Sequence, residues 1–354
     1  MIRRLAVALA AALLPGLATG QDVLRLFNWN NYITEDSVKA FEVRCKCRLA
    51  QDYYADNEEM LAKLAAGAVG YDLIVPTGNA VETLLKSGQL RPLDPSRLRD
   101  LGNIKLEFLD QWFDPGNRHS VPYAYSLTLL GYNVERMRAL GLPTDTWAVL
   151  FEPQHLEKVR GKVTVLDSQR ELFAAALIYL GFDANETDEA KLKAARDLIL
   201  RAKPYWAAFN AGSYFKELAI GNIWLAHGYS NDMFTAQQDA RAAGRKFTIG
   251  FSMPREGAVF ALDNLVMHRS GKRPDLAYQF IEFWLEGRAP AELTNAIGAG
   301  NANRVAMQWV RPDIAANPNL FPDAEAFRRL QALRDYDRRT RRLLNRLWVE
   351  VKVR

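Results

Sequence analysis

The 354-residue sequence contains little of what most enzyme and metal sites are built from. It has no G-x-x-x-x-G-K-[ST] phosphate loop, no G-x-G-x-x-G after a strand, no H-E-x-x-H and no G-x-S-x-G. Its four histidines, at positions 119, 155, 227 and 268, are far apart and show no metal-ligand spacing. These absences argue against nucleotide-dependent, zinc-dependent and serine-hydrolase chemistry, and no cofactor is expected. An exported hydrolase or lyase that uses Asp and Glu stays open as an alternative.

Cysteine is also scarce. The only two, Cys45 and Cys47, are separated by one residue. Two cysteines cannot form the disulfide framework of a small secreted scaffold. They either pair with each other or remain one exposed and one buried thiol, and no functional role is predicted for them.

Long apolar runs are absent beyond the N-terminus. Residues 1–20 begin with Arg3 and Arg4, continue with "LAVALAAALL" and end with the small residues "LATG". This order is typical of a cleavable signal peptide, and no later run approaches the roughly 20 apolar residues of a membrane helix. We therefore expect export, most simply to a bacterial periplasm, without stable membrane insertion.

The charge is unevenly distributed. The chain has 46 basic and 41 acidic residues, but residues 327–354 hold ten basic and only three acidic ones. Apolar residues recur at helical spacing within this segment, which predicts a docked terminal helix with a solvated basic face. A nucleic-acid partner is not expected, because aromatic stacking motifs do not accompany the basic residues.

Strand-like and helix-like segments alternate along the chain. Strands are predicted at residues 23–27, 48–54, 71–76, 161–167, 222–230, 246–254 and 259–267. Helices are predicted from Glu35 to Arg44 with Thr34 as N-cap, after an N-cap at Asn57, and at residues 170–182 and 275–287. This alternation predicts an α/β fold with mostly parallel sheets flanked by helices. The segments "SVPYAYSLTLLGYN" and "FSMPREGAVFALD" are the candidate crossovers between two lobes.

Acidic and aromatic residues recur together at the ends of the predicted strands, in "FNWNNY", "VLDSQRELF", "LAHGYSNDMF" and "VFALDNL". Ligands gather outside the carboxyl ends of strands in open α/β sheets. Carboxylates with aromatic faces suit an organic cation, and Trp29 and Tyr229 are placed to sandwich a methylene chain. The structural alternatives are a core role for Trp29, helix-end roles for Glu171 and Asp232, and a buried Arg partner for Asp263.

An ordered set of segments carries a family resemblance over essentially the whole chain after residue 20. They are "FNWNNYI", "YDLIVPTG", "VPYAYSLTLLGYN", "LGFDANETD", "FSMPREGAVFALDNLVM", "AYQFIEFWL" and "NANRVA". The sequence resembles the periplasmic spermidine/putrescine-binding proteins of bacterial ABC importers. The resemblance implies a monomeric two-lobed periplasmic-binding-protein fold (type II-like) that closes on a polyamine, delivers it to a permease and performs no catalysis. The expected lobes are residues 21–122 plus 258–304 and residues 123–257 plus 305–354.

The resemblance also implies the ligand-binding positions. They are Trp29, Asn30, Tyr32, Thr77, Glu171, Tyr229, Asp232 and Asp263. Four positions depart from the family pattern: Ala261 and Ala299 stand where aromatic residues are usual, Asn79 replaces Tyr or Ser, and Ser168 replaces an acid. Loss of two aromatic walls enlarges or wets the pocket. Putrescine or spermidine, another organic cation, and a sensory instead of a transport role therefore all stay open.

Overall fold

The computed structural model describes residues 21–353, so the predicted signal peptide lies outside the described residues. The strands in this range are β1 (Val23–Trp29), β2 (Arg48–Tyr54), β3 (Leu73–Ile74), β4 (Ser120–Asn133), β5 (Val163–Val165), β6 (Ala208–Phe209), β7 (Leu225–Tyr229), β8 (Ile249–Ser252), β9 (Ala258–Met267) and β10 (Leu330–Ala332). Each strand predicted from the sequence is present, although several are shorter than the apolar run that predicted them.

The helices lie between and after these strands. They are α1 (Glu35–Cys45), α2 (Asn57–Ala65), α3 (Gly78–Lys86), α4 (Val134–Ala139), α5 (Ala148–Phe151), α6 (Pro153–Leu156), α7 (Gln169–Tyr179), α8 (Glu189–Ala202), α9 (Tyr214–Ile220), α10 (Ser230–Ala242), α11 (Pro274–Leu285), α12 (Arg288–Ile297), α13 (Pro312–Ala315), α14 (Ala324–Phe327) and α15 (Arg338–Val353). Short 3-10 turns occur between them.

The helix starts follow the capping chemistry of the sequence. Thr34 caps α1 as predicted, since its side chain accepts a hydrogen bond from the backbone N–H of Ser37. The cap predicted for α2 is wrong by one residue. Asp56 is the N-cap, and Asn57 is the first helical residue, because the Asp56 carboxylate accepts the N–H of the residue three positions later.

The strands form one continuous series in the order β2-β1-β3-β9-β4-β7-β5-β6, with β10 beside β9 and β8 beside β4. The outer pairs are parallel as predicted, whereas β9 is antiparallel to β3 and β4, and β4 is antiparallel to β7 and β8. β4 pairs with β9 up to Leu127 and with β7 from Thr128 onward. It therefore joins the two halves of the sheet.

The core surrounds this central pair of strands. All but one residue of β4 are buried, which is expected for a strand covered on both faces. Trp284 of α11 stacks on Tyr123 of β4 with ring centroids 3.8 Å apart. At the C-terminal end of α1, Cys45 and Cys47 are joined by a disulfide bond, so the two cysteines pair with each other.

The basic C-terminal segment forms α15, as predicted. Its apolar residues Leu343, Leu344, Leu347 and Val351 are buried, and it packs mainly on α8. Within residues 21–353, no helix has the length and apolar character needed to cross a membrane.

Candidate ligand-binding site

A cavity of about 330 Å³ opens at the ends of the central strands. All eight positions that the family resemblance implied contribute to its wall: Trp29, Asn30, Tyr32, Thr77, Glu171, Tyr229, Asp232 and Asp263. They come from five separate segments of the chain. The fold thus brings together residues that the sequence places up to about 230 positions apart.

The pairing of β4 with its neighbours explains this convergence. Ala124 is opposite Asp263 of β9, Ser126 is opposite Ala261, and Thr128 is opposite Tyr229 of β7. Residues two apart on a strand project to the same face, and paired residues share that face. Asp263 of β9 and Tyr229 of β7 therefore lie on the same face of the sheet. They are separated along β4 by about 13 Å, at ~3.3 Å per residue.

Asp263 is held at one end of the cavity by two hydroxyl groups. Its Oδ2 accepts a 2.8 Å hydrogen bond from Tyr32, and its Oδ1 accepts a 2.7 Å bond from Thr77. The Thr77 hydroxyl in turn accepts a bond from the Asn57 amide. Within the described residues no arginine pairs with Asp263, so the buried-Arg alternative is wrong. The carboxylate keeps free lone pairs for a ligand donor.

Two further acids lie on the other half of the sheet. Glu171, in the first turn of α7, accepts a 2.7 Å hydrogen bond from the Thr128 hydroxyl of β4. Asp232, in the first turn of α10, accepts a 2.6 Å bond from the Tyr214 hydroxyl. Both acids lie at helix ends, as the alternative to a binding role proposed, and both also line the cavity. The helix-end and cavity roles are therefore compatible.

The aromatic walls are held by their polar atoms. The Trp29 indole N–H donates to the Val75 carbonyl at 2.8 Å, and the Trp29 ring lies 4.7 Å from that of Tyr54. The backbone N–H of Tyr229 donates to the Tyr214 hydroxyl. Trp29 and Tyr229 are half-buried, so each leaves part of its ring on the cavity surface.

Removal from water governs the electrostatics of the three acids. Burial raises the pKa of Asp263 to about 7, although the hydrogen bonds from Thr77 and Tyr32 pull it down. Burial likewise raises the pKa of Glu171 to about 7 and that of Asp232 to about 6. Among the described residues, Asp263 and Asp232 therefore lack the compensation that a nearby positive charge would supply, and Arg170 supplies only part of it to Glu171. A cation in the cavity would supply it.

Several wall residues were not predicted from the sequence. The main ones are Tyr54, Asn57, Glu58, Trp112, Phe113, Arg170 and Phe215. Tyr54 is the last residue of β2 and is paired with Trp29. Because ligands gather at the carboxyl ends of strands, its position could have been predicted from the sequence. Trp112 and Phe113 lie outside the strands and helices, where no periodic signal exists.

The four departures from the family pattern do not share one location. Asn79, Ser168 and Ala261 line the cavity, whereas Ala299 is buried and is not among its wall residues. Ser168 is the N-cap of α7, and its hydroxyl accepts the N–H of Glu171. The Ser168 hydroxyl therefore stabilises the start of α7, the helix that carries Glu171.

His227 is buried in β7 and does not line the cavity. Neither ring nitrogen has a hydrogen-bond partner among the described residues, and burial lowers its pKa to about 3. Within residues 21–353, no group of His, Cys, Asp and Glu has an arrangement suited to a metal ion.

The fold and cavity define a ligand-binding protein built on a central sheet with the site between its halves. Residues 37–322 match the family of the bacterial extracellular solute-binding protein, and the chain belongs to that family. This agrees with the family expected from the sequence.

Comparisons with individual proteins agree with this assignment. The chain is 54% identical to a putrescine/cadaverine-binding protein of Pseudomonas aeruginosa, over 98% of each chain. It is 34% identical to the putrescine-binding periplasmic protein PotF of Escherichia coli, over 98% of this chain and 95% of that one. Among solved structures, the Tp0655 (TpPotD) lipoprotein of Treponema pallidum matches with a TM-score of 0.83 and 27% identity, over 94% of this chain and 100% of that one. These neighbours have the two-lobed fold of periplasmic binding proteins.

Proposed function

We propose that this protein captures a polyamine of the putrescine or spermidine class in the periplasm and delivers it to an ABC transporter permease. The observation that carries the proposal is the convergence of Asp263, Glu171 and Asp232 on one cavity whose wall includes Trp29 and Tyr229. Buried carboxylates bind ammonium groups through charge-assisted hydrogen bonds. The aromatic faces attract cationic groups and exclude water from the methylene chain between them.

Each half of the sheet binds one ammonium group of the ligand in this proposal. Asp263 with Tyr32 and Thr77 holds one ammonium group, and Glu171 with Asp232 holds another. The proposed lobes are residues 21–122 plus 258–304 and residues 123–257 plus 305–354, which β4 and β9 connect. A dication that contacts both sets of acids stabilises the closed arrangement, and the permease recognises that arrangement.

The protein returns its ligand unchanged in this proposal and acts as a monomer. Residues 1–20 serve as the signal peptide that directs it to the periplasm. The PotF relative is a putrescine-binding periplasmic protein, and the 54% identical relative is a putrescine/cadaverine-binding protein. These names support a diamine as the first ligand to test.

Isothermal titration of residues 21–354 tests the proposal. The protein is first unfolded and refolded to remove any carried-over ligand, then titrated with putrescine, cadaverine, spermidine and spermine in one buffer. We expect micromolar or tighter binding to at least one of them, and mass spectrometry of the recovered amine shows whether it is unchanged. Absence of binding to all four would refute the polyamine proposal, and an altered product would refute the binding-only role.

A different organic cation is the second candidate ligand. The observation that favours it is Ala261, which leaves open wall surface opposite Ser126 where the family usually has an aromatic. A thermal-shift screen of other cationic amines separates the two candidates, because only the true ligand raises the melting temperature at low concentration. Uptake of the labelled ligand by cells that contain or lack the protein separates transport from sensing.

A further inference from the structure

One face of α15 carries four arginines that form no ion pair or side-chain hydrogen bond within the described residues. They are Arg338, Arg339, Arg342 and Arg346, and all four are exposed. At 100° per residue they fall within a 100° arc, on the side of the helix opposite the buried residues Leu344 and Val351. We name this surface the arginine face.

The charges elsewhere on α15 are neutralised, which sets these four apart. Arg341 pairs with Asp335, Glu350 pairs with Arg196, and Lys352 pairs with Asp167. Two acids lie near the arginine face: Asp337, whose carboxylate accepts hydrogen bonds from Thr340, and Glu189 of α8, which is paired with Lys193 at 2.8 Å. The arginine face therefore keeps an excess of positive charge, although the chain after residue 20 and before residue 327 is net acidic.

Apolar side chains continue the same face toward the end of the helix. Val349 and Val353 fall inside the same arc, and they are 57% and 76% exposed. These two valines are four residues apart, so they are neighbours on the helix and form a small exposed apolar patch beside the arginines. Guanidinium groups followed by apolar side chains suit a surface that offers anionic headgroups above an apolar layer.

We propose that the arginine face, with Val349 and Val353, adsorbs reversibly to anionic phospholipid. A lipid surface fits better than an acidic protein groove, because the face is a convex stripe of exposed side chains. It fits better than nucleic acid, because the exposed residues that extend the face are valines and not stacking aromatics. The binding is electrostatic and reversible, since a stripe of four charges and two valines is too small for stable anchoring. Such adsorption holds the protein near the membrane, independently of which ligand the cavity takes.

Co-sedimentation with lipid vesicles tests this proposal directly. Residues 21–354 are mixed with vesicles of equal parts phosphatidylglycerol and phosphatidylcholine, or of phosphatidylcholine alone, at low and at physiological salt. We expect binding to the anionic vesicles only, and weaker binding as salt screens the charges. Equal binding to both vesicle types, or no binding to either at low salt, would overturn the proposal.

A variant with all four arginines of the face changed to Gln locates the contact. We expect it to bind anionic vesicles at least tenfold more weakly, because each arginine near an anionic surface contributes roughly a fivefold factor. The matched control changes Arg48, Arg118, Arg138 and Arg241 to Gln; these are also exposed and make no ion pair within the described residues. We expect the control to bind like the parent.

Circular dichroism of both variants checks their folding. We expect both to fold like the parent, because the changed residues are exposed. Equal weakening in both variants would show an effect of net charge and overturn the assignment to this face. A short DNA duplex that bound the parent more tightly than the anionic vesicles would overturn the lipid proposal in favour of nucleic acid.

Discussion

The hydroxyl of Tyr32 donates a 2.8 Å hydrogen bond to Oδ2 of Asp263, although 231 positions separate the two residues in the sequence. Tyr32 follows the first strand, and Asp263 lies within β9, the strand that returns to the first half of the sheet. Both side chains are buried. The bond therefore orients the acid toward the cavity and stabilises its ionised form.

Tyr32→Phe tests the value of this contact. The change removes one donor to the carboxylate, so we expect the pKa of Asp263 to rise further and polyamine binding to weaken by about 1–3 kcal/mol. The loss should be larger at pH 6.5 than at pH 8, because a larger share of Asp263 is then protonated. Calorimetry at the two pH values gives both numbers. Tyr53→Phe is the control, since Tyr53 is exposed and does not line the cavity.

Asp263→Asn and Glu171→Gln test the two proposed ammonium sites. Each change keeps the size of the side chain and removes one charge, so we expect binding to weaken by a few kcal/mol at most while the protein stays folded. The control is Asp239→Asn, which alters an exposed acid on α10, the helix of Asp232. If both site variants bound all four polyamines like the parent, the residue roles proposed here would be wrong.

The raised pKa values of the cavity acids predict that binding releases protons. Asp263 and Glu171, each with a pKa of about 7, are largely protonated in the free protein at about pH 6. A bound dication favours their ionised forms. Apparent affinity should therefore fall as the pH drops below about 7, by up to ~10-fold per pH unit for each acid that must ionise.

Titrations near pH 6.5 in buffers with different ionisation enthalpies measure the number of protons released. We expect on the order of one proton per ligand for the parent. The Asp263→Asn variant should release fewer. A binding enthalpy that did not depend on the buffer would contradict the involvement of these acids.

His227 predicts an acid-dependent loss of stability. Burial lowers its folded-state pKa to about 3, whereas an unfolded histidine titrates near 6.5. The unfolded state thus binds more protons between these values, and the free energy of unfolding falls as the pH drops below about 6.5, by up to ~1.4 kcal/mol per pH unit. The cavity acids act in the opposite direction between about pH 7 and pH 4, so a comparison with a variant is needed.

Urea unfolding of the parent, His227→Phe and His227→Leu between about pH 7.5 and pH 5 isolates this contribution. We expect both variants to lose less stability than the parent over that range, whatever their stability at neutral pH. His155→Leu is the control, because the His155 side chain is partly exposed. Parallel stability curves for the parent and both His227 variants would show that the buried imidazole does not control the acid response.

Much of the site was predictable because its residues follow strand ends. Trp29 and Tyr229 are the last residues of β1 and β7, and the carboxyl ends of such strands gather at ligand sites. The same pattern of acids and aromatics pointed to Glu171, Asp232 and Asp263, and the family resemblance added Thr77. Trp112 and Phe113 were missed, because side chains in irregular segments reach a cavity through contacts that no local pattern encodes.

The sequence by itself determined the order of strands and helices, the caps such as Thr34, and the buried face of α15, because hydrophobic period and capping are local properties. Only the tertiary structure decided that β9 lies antiparallel between β3 and β4, since strand pairing depends on contacts distant in sequence. That pairing placed Asp263 against the hydroxyl groups of Tyr32 and Thr77, and no arginine within residues 21–353 pairs with it. His227 of β7 is also buried, and its ring nitrogens have no hydrogen-bond partner among the residues that the structure describes. Hydrogen-bond partners and burial set the pKa of each group, and both arise only when the chain has folded.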